Sequence, residues 1–221
     1  MNLYDIIGPI MVGPSSSHTA GAVRISSVAR MLLGEPVRQA EILLYGSFLA
    51  TGKGHGTDRA LVAGLLGMAP DDIRIPDSFT FAKKAGLSFS FGEAVLTDAH
   101  PNSVELHLTG NSGKQLKLVG QSIGGSQIRI VQIDGITTDF SGNYPTLIIH
   151  NEDQPGYVAE IASHLARNRV NIASMQLYRS SRGKDAIMVL ECDQEIPLEI
   201  LSHLERQQGI RKVMYLGLQQ L

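Results

Sequence analysis

The sequence contains little cysteine and few aromatic residues. Its 221 residues include one cysteine, Cys192, and no tryptophan. A lone cysteine forms no internal disulfide and cannot hold an iron–sulfur cluster, because such clusters need three or four thiolates. We therefore expect no cluster on this chain. Cys192 itself is expected to be a small buried residue near the end of a strand.

Charge and hydropathy exclude two further kinds of partner. The 19 lysines and arginines nearly balance the 21 aspartates and glutamates, and no basic block occurs, so we expect no nucleic-acid partner. No run of about 18 uncharged apolar residues predicts a membrane span. Residues 1–14 are apolar but lack the leading lysine or arginine of a secretory signal, so we expect a cytoplasmic protein.

Residues 139–145, which contain serine, glycine, asparagine and proline, separate two patterned regions. We place one domain at residues 1–142 and a second at residues 146–221. After the break, the sequence predicts strands at residues 146–150, 170–179, 186–191 and 210–218, a hairpin turn at residues 180–185, and helices beginning near Pro155 and Pro197. The resulting order, β-α-β-β-α-β, is that of a ferredoxin-like fold.

Apolar spacing predicts the buried sides of these two helices. Asp153 is the expected N-cap of the first helix, and Gly209 the expected end of the second. The residues expected to face inward are Val158, Ile161, Ala162 and Leu165 in the first helix, and Leu198, Leu201 and Leu204 in the second.

The first half is less regular. Its apolar spacing predicts helices at residues 19–33 and 57–67 and a strand at residues 41–45. Short apolar alternations across residues 79–133 predict strands of a mixed sheet. The fold class predicted for the whole chain is α+β, with a mixed α/β domain followed by the ferredoxin-like unit.

Hydroxyl side chains surround a histidine just before the first predicted helix. Residues 13–19 read Gly-Pro-Ser-Ser-Ser-His-Thr. Free N–H groups at a helix start favour an anion such as a carboxylate, and His18 can transfer a proton near neutral pH. The same residues are also typical of a helix cap that carries a surface histidine.

A second histidine, His55, lies in a glycine-rich segment, Gly-Lys-Gly-His-Gly-Thr-Asp at residues 52–58. Alternating glycines expose backbone to a ligand, although a plain flexible turn has the same composition. The spacing departs from that of a phosphate-binding loop, and no dinucleotide-binding pattern occurs, so a nucleotide site is rejected.

Three further loops carry polar or glycine-rich sequences: residues 100–103 (His-Pro-Asn-Ser), 122–126 (Ser-Ile-Gly-Gly-Ser) and 151–156 (Asn-Glu-Asp-Gln-Pro-Gly). The first two loops have two interpretations: they are ordinary connecting loops, or they form part of a functional site. The third can hold a small amino acid by its polar ends, or it can be a structural turn that allows pairing with a second copy. His18, His55, His100 and His107 lack the i, i+4 spacing of a helical metal site, so no metal is expected.

Taken together and in this order, the motifs at residues 13–19, 52–58, 100–102 and 122–125 resemble the β domain of iron–sulfur L-serine dehydratases. The second half resembles an ACT domain, a small ligand-sensing module. The arrangement is similar to the β chain of the two-subunit type, and the first domain is also similar to the allosteric substrate-binding domain of some phosphoglycerate dehydrogenases. Ser126 departs from the pattern, since many relatives have a third glycine there.

The resemblance implies conversion of L-serine to pyruvate and ammonia. A [4Fe–4S] cluster on a separate α subunit would act as a Lewis acid on the serine hydroxyl. The implied partners are that α subunit, L-serine and a second copy bound through the ACT domain. A monovalent cation is a further implied effector.

The resemblance also implies roles for individual residues. The implied catalytic residues are His18 and His55, and the implied substrate-binding residues are Ser15, Ser16, Ser17, Thr19, Gly54 and Asn102. The implied regulatory ligand site comprises Asn151, Asp153, Gln154, Gly156, Asn171 and Ile172.

Two other functions compete with a subunit that completes an active site. One is a non-catalytic subunit that binds serine or another amino acid and only regulates its partner. The other is a stand-alone hydrolase with a Ser/His pair, which the absence of a G-x-S-x-G sequence disfavours.

Overall fold

The computed structural model describes residues 10–179 and 181–218. The chain divides into unit 1, up to Gly135, and unit 2, from Ile136. This division lies ahead of the segment at residues 139–145 that the sequence marks as a break. Each unit is described by itself.

The strands of unit 1 are β1 (Val37–Gly46), β2 (Ser88–Glu93), β3 (Asn102–Gly110), β4 (Gln115–Gly124) and β5 (Gln127–Ile133). They lie in the order β2-β1-β3-β4-β5. Strand β1 pairs in parallel with β2, and the other neighbours are antiparallel. The prediction of a mixed sheet is therefore confirmed.

A π-helical turn at Ser16–Gly21 leads into helix α1 (Ala22–Leu33). The remaining helical segments of unit 1 are α2 (Ser47–Ala50), a 3₁₀ turn at Gly52–His55, α3 (Thr57–Leu65), a 3₁₀ turn at Ile75–Asp77 and α4 (Ser78–Ala85). Helix α1 packs against β4 and α3. Its apolar residues recur at the helical spacing i, i+3, i+4 and i+7, and these four residues are all buried: Ile25, Val28, Ala29 and Leu32.

The prediction of strands throughout residues 79–133 is wrong at its beginning, where α4 forms instead. The local sequence Ser-Phe-Thr-Phe alternates as a strand does. However, Ser78 Oγ donates to the Arg59 carbonyl of α3 at 2.8 Å, and the Phe79 ring lies 5.0 Å from the Phe89 ring of β2. Packing between α3 and β2 therefore overrides the local alternation.

Unit 2 begins with β6 (Ile136–Phe140). It continues with β7 (Thr146–Glu152), α5 (Tyr157–Arg167), β8 (Ile172–Arg179), β9 (Asp185–Cys192), α6 (Leu198–Glu205) and β10 (Ile210–Leu216). Strands β7 to β10 form an antiparallel sheet in the order β10-β7-β9-β8. The predicted β-α-β-β-α-β order is confirmed. Residue 180 of the predicted hairpin turn lies outside the described residues.

Both helices of unit 2 cover one face of this sheet. Ile161 and Leu165 of α5 and Ile200 and Leu204 of α6 belong to one buried cluster with residues of β7 and β9. Two residues expected on the buried faces are instead exposed: Val158 is 39% exposed and Leu198 is 75% exposed. Those predictions are wrong because other residues of the first turns face the core: Tyr157 packs against it in α5, and Ile200 belongs to it in α6.

The single cysteine is part of the core of unit 2. Cys192 ends β9 and is fully buried, as predicted. Burial, with a contribution from Asp193, raises the pKa of its thiol to about 11. The thiol therefore remains protonated near neutral pH. Within the described ranges, no helix is both long and apolar enough to cross a membrane.

Candidate functional site

The first site element is the π-helical turn that precedes α1. Ser15 is its N-cap, and Ser15 Oγ accepts the His18 backbone N–H at 3.1 Å. Ser15 is therefore a helix cap, which was one of the two interpretations of this motif. The side chains of Ser16 and Ser17 are half-buried and make no hydrogen bond to any described residue. A π-helical turn often marks a functional position, because the widened turn displaces side chains from the regular helical path.

A short helix that the sequence patterns did not predict, α2, lies beside this turn. Gly46 precedes it with φ 57° and ψ −123°. A Cβ atom at Gly46 would lie 2.6 Å from the Pro101 carbonyl oxygen, so only glycine fits there. The same carbonyl accepts the Ser47 N–H at 2.8 Å. Pro101 of the third motif thus fixes the start of α2.

Helix α2 brings two hydroxyl groups to His18. His18 Nε2 lies 3.1 Å from Ser47 Oγ and 3.3 Å from Thr51 Oγ1. On the other side of the ring, His18 Nδ1 lies 3.5 Å from Ser15 Oγ. Burial, and then the proximity of His55, lower the pKa of His18 from its ordinary value of 6.5, although Ser47 opposes the shift. His18 is therefore neutral at pH 7.

His55 is the second imidazole of the site. Its ring centroid lies 4.8 Å from that of His18. His55 Nδ1 lies 3.0 Å from the Thr51 carbonyl oxygen. Thr19 Oγ1 donates to the His55 carbonyl at 3.3 Å, which ties the glycine-rich turn to the π-helical turn. Gly54 lies in the same turn, where its N–H donates to Thr51.

Asn102 connects the two loops of the third motif. Its backbone N–H donates to His100 Nδ1 at 3.1 Å, and its side-chain amide donates to the Ser122 carbonyl at 3.4 Å. In the sheet, Asn102 is the register partner of Gly46. Ser122 in turn contacts Gly21, since a Cβ atom at Gly21 would overlap Ser122 Oγ. The motifs at residues 13–19, 52–58, 100–102 and 122–125 therefore meet in one region of unit 1.

Ser126, the position that departs from the family pattern, adopts a backbone that favours glycine. Its φ is 62°, which costs a non-glycine residue about 1 kcal/mol or more. Its hydrogen bonds offset that strain. Arg24 donates to the Ser126 carbonyl at 2.7 Å, and Ser126 Oγ donates to the Ser16 carbonyl at 3.4 Å. The serine thus keeps the loop in place beside the π-helical turn.

The other two histidines considered as metal ligands have different surroundings. His100 accepts the N–H of Asn102, whereas His107 lies between Glu41 and Glu105 at 2.7 and 2.6 Å. Burial of Glu105 opposes its ionisation, but hydrogen bonds from Lys117 and His107 outweigh burial and lower its pKa. Across residues 10–179 and 181–218, no group of three or more histidine, cysteine, aspartate or glutamate side chains is arranged to hold a metal.

Sequence reasoning missed three hydroxyl residues of this region: Ser47, Thr51 and Thr57. Ser47 and Thr51 are four residues apart between a strand end and the glycine-rich turn, a spacing that would place them on one side of a short helix. Thr57 begins α3 and is fully buried, yet its Oγ1 has no hydrogen-bond partner within the described residues. A buried hydroxyl without a partner costs about 1–3 kcal/mol.

We expect Thr57→Val to leave the free energy of unfolding unchanged or to raise it by about 1 kcal/mol, because a methyl group replaces an unpartnered buried hydroxyl. Thr19→Val is the matched control, since Thr19 is also buried but its hydroxyl donates to His55. That variant should lose about 1 kcal/mol. Urea unfolding of both proteins measures the difference. Equal losses in the two variants would contradict the expectation.

The predicted regulatory residues lie in unit 2, and the structure separates them. The N-cap prediction at Asp153 is wrong: α5 begins at Tyr157, and no side chain caps it. Asp153 Oδ2 instead accepts the Gly183 N–H at 2.8 Å and an Arg179 N–H at 3.3 Å, because the hairpin folds over it. The Gly183 bond, with smaller contributions from Arg179 and Arg182, lowers the pKa of Asp153 against the effect of burial.

Two of the predicted residues, Gln154 and Gly156, border a surface pocket of about 520 Å³. The pocket is lined by Glu152, Gln154, Pro155, Gly156, Tyr157, Glu160, Gln207 and Gln208. Asn151 is buried in β7 and donates to the Glu152 carbonyl. Asn171 bonds to Asp193 and Gln194, and Ile172 packs on the core. These three residues do not line the pocket.

The chain is similar in sequence to known proteins over most of its length. A family model described as serine dehydratase beta chain matches residues 3–86, and one described as ACT domain matches residues 145–208. The chain is 42% identical over 194 residues to the L-serine dehydratase, beta chain, of Peptoniphilus asaccharolyticus, with 87% of each chain covered. It is 39% identical over 212 residues to the probable L-serine dehydratase, beta chain, of Bacillus subtilis (strain 168), with 96% of each chain covered.

A more distant relative has a different name. The D-3-phosphoglycerate dehydrogenase of Bacillus subtilis (strain 168) is 28% identical over 201 residues. The match covers 89% of this chain but 37% of the dehydrogenase. Both units therefore have counterparts, in the same order, within a longer protein.

Proposed function

Because the chain belongs to the L-serine dehydratase beta chain family, we propose that it completes the active site of an enzyme that converts L-serine to pyruvate and ammonia. The observation that supports this proposal is the pairing of His18 with His55 among the hydroxyl groups of Ser15, Ser47 and Thr51. The name beta chain implies a partner subunit in the relatives, and an α subunit is the partner proposed here.

The residues of this chain do not fit an iron–sulfur cluster. Its one cysteine is buried in the core of unit 2, and its thiol pKa is raised rather than lowered. A cluster ligand must be a thiolate, and one sulfur is too few. We place the [4Fe–4S] cluster on the α subunit. The roles proposed for the residues of this chain do not include binding the cluster.

The proposed role of His55 is to remove the Cα proton of L-serine. A carbonyl oxygen only accepts, so the contact with Thr51 places the proton of neutral His55 on Nδ1. The lone pair is then on Nε2, which has no hydrogen-bond partner within the described residues. In the reaction, Nε2 takes the Cα proton, and the electron pair of the Cα–H bond forms a Cα–Cβ double bond. The Cβ–O bond breaks with its electron pair on oxygen, and the departing hydroxide takes up a proton to leave as water. The resulting 2-aminoacrylate tautomerises to an imine, which water hydrolyses to pyruvate and ammonia.

Ser16 and Ser17 are proposed to bind the carboxylate of the substrate. Both begin a continuous helical run that extends from the π-helical turn through α1. The N-terminal end of a helix attracts anions, and the two hydroxyl groups add donors that no described residue uses. The His18 ring lies 4.8 Å from the His55 ring, and His18 is proposed to hold His55 in position beside the substrate.

A second function, amino-acid sensing by unit 2, is supported by the match to the ACT domain model and by the pocket beside Gln154. In that case the chain regulates its partner and takes no part in the chemistry. Pairing of two copies through unit 2 is compatible with either function and stays a prediction.

His18→Ala in the complex with the α subunit separates the two functions. If His18 acts in the site, kcat at saturating L-serine should fall by about tenfold or more, because the ring that positions His55 is lost. If the chain only senses an amino acid through unit 2, kcat and its response to serine should both be kept, because His18 lies in unit 1. Steady-state pyruvate formation measures both. His203→Ala is the control, since His203 is exposed on α6.

A further inference from the structure

Two hydroxyl residues of α2 and the turn after it contact the imidazoles of the site. Ser47 Oγ lies 3.1 Å from His18 Nε2, and Thr51 Oγ1 lies 3.3 Å from the same nitrogen. The backbone carbonyl of Thr51 lies 3.0 Å from His55 Nδ1. One short segment therefore contacts both rings, each through a different kind of group.

The position of each proton follows from counting donors. Thr51 Oγ1 donates its only hydrogen to the Ser47 carbonyl at 3.0 Å, so toward other groups this oxygen can only accept. Its contact with Ser47 Oγ, at 3.2 Å, is then a bond that Ser47 donates. With both hydroxyl hydrogens used, the contacts of His18 Nε2 require a hydrogen on that nitrogen.

The opposite nitrogen of His18 fits the same assignment. Ser15 Oγ accepts the His18 backbone N–H at 3.1 Å, which leaves its own hydrogen free to point to His18 Nδ1 at 3.5 Å. Nδ1 then accepts and carries no hydrogen. For His55 the assignment is reversed, because the Thr51 carbonyl requires a hydrogen on Nδ1.

We propose that Ser47 and Thr51 are positioning residues that hold the two histidines in opposite tautomers, with His18 protonated on Nε2 and His55 protonated on Nδ1. In each ring the other nitrogen has the lone pair. In His55 this nitrogen is Nε2, which accepts the Cα proton of L-serine in the proposed function. The catalytic consequence of the tautomers therefore rests on the proposed function. The tautomers themselves follow from this chain's own hydrogen bonds.

The backbone around these residues is suited to fix them. Pro101 accepts the N–H groups of both Ser47 and Phe48, and Phe48 is fully buried with its ring 5.3 Å from that of His18. The Thr51 N–H donates to the Ser47 carbonyl at 2.9 Å, which closes the turn of α2. Because the backbone is fixed at both ends of this turn, the Ser47 and Thr51 side chains lose less conformational entropy when they bond to His18.

The first test uses the chain without its partner. Nitrogen-15 NMR of histidine-labelled protein reports the tautomer of each ring directly. In the unsubstituted chain, His18 and His55 should show opposite tautomers. Ser47→Ala and Thr51→Val should both move the His18 signals toward the average of the two tautomers. His55 should be unaffected by Thr51→Val, because its bond is to the backbone, and so it serves as an internal control.

Conservative variants distinguish hydrogen bonding from packing. Ser47→Thr and Thr51→Ser keep the hydroxyl groups and should restore the fixed tautomer of His18. Backbone spectra that match the unsubstituted protein show that each variant is folded. His18 signals that are unchanged in both Ser47→Ala and Thr51→Val would overturn the proposal, whatever the activity of the complex.

The second test measures turnover in the complex with the α subunit. Ser47→Ala should lower kcat by about 10- to 100-fold with little change in KM, and Ser47→Thr should recover most of it. If the NMR signals change as expected while kcat does not, the positioning role is supported and the proposed role of His18 in turnover is wrong. The NMR test can therefore contradict the positioning role of Ser47 and Thr51, and the kinetic test can separately contradict the proposed role of His18 in turnover.

Discussion

Replacing His55 with asparagine in the assembled dehydratase should lower kcat by about 10²–10⁴-fold, the usual contribution of a general base. The lone pair of the His55 imidazole is on Nε2, since its Nδ1 is already bonded to the Thr51 carbonyl. An asparagine side chain amide cannot accept a proton at neutral pH. Pyruvate formation at saturating L-serine measures the loss.

The turn that carries His55 should keep its shape in this variant. Thr19 Oγ1 donates to the His55 backbone carbonyl, and this bond does not depend on the side chain. His203→Asn is the matched control, because His203 is an exposed histidine of α6 in the other unit. Retention of more than half the kcat by His55→Asn would show that another group removes the proton.

The second large effect concerns the chain alone. The isolated protein should form no pyruvate from L-serine, and an anaerobically purified α subunit should restore turnover. The reason is ligand chemistry: one buried cysteine with a raised thiol pKa cannot supply the thiolates of a cluster. The measurement is pyruvate formed by each chain separately and by the two together.

Cys192→Ala is the matched variant for this prediction. It removes the one sulfur ligand that the chain possesses, and the restored activity should be unchanged because the partner supplies the cluster. A moderate loss of thermal stability is expected from the smaller side chain in the core of unit 2. Turnover by the isolated chain, or loss of turnover in Cys192→Ala with the fold intact, would contradict the proposed division between subunits.

Unit 2 shows how far periodicity leads. Alternation and proline positions predicted the six elements from β7 to β10 in the correct order, because each of them buries one face against the same core. The same patterns predict buried positions for Val158 and Leu198, which are exposed. Both lie in the first turn of a helix, where the angle at which the chain enters the helix decides which residue meets the core, and the sequence does not give that angle. The sequence predicts that Asp153 caps α5, but its carboxylate instead accepts the Gly183 N–H of the hairpin, which is distant in sequence.

Unit 1 shows where local patterns fail. Helix α2 has four residues, too few for any periodicity, and it exists because Pro101 accepts its first N–H groups. The phenylalanines of α4 alternate with polar residues, a pattern that predicts a strand. In both cases a contact between residues far apart in the sequence decided the local conformation.

The sequence by itself determined the residue types of the site and the limits of its chemistry. Hydroxyls and imidazoles occur in separate motifs, and a single cysteine supplies too few thiolates for a cluster. Only the tertiary structure decided that His18 and His55 lie 4.8 Å apart and that Ser47 and Thr51 contact them. The reason is physical: composition and spacing specify which groups are available, whereas hydrogen-bond direction depends on distances between segments that only folding brings together.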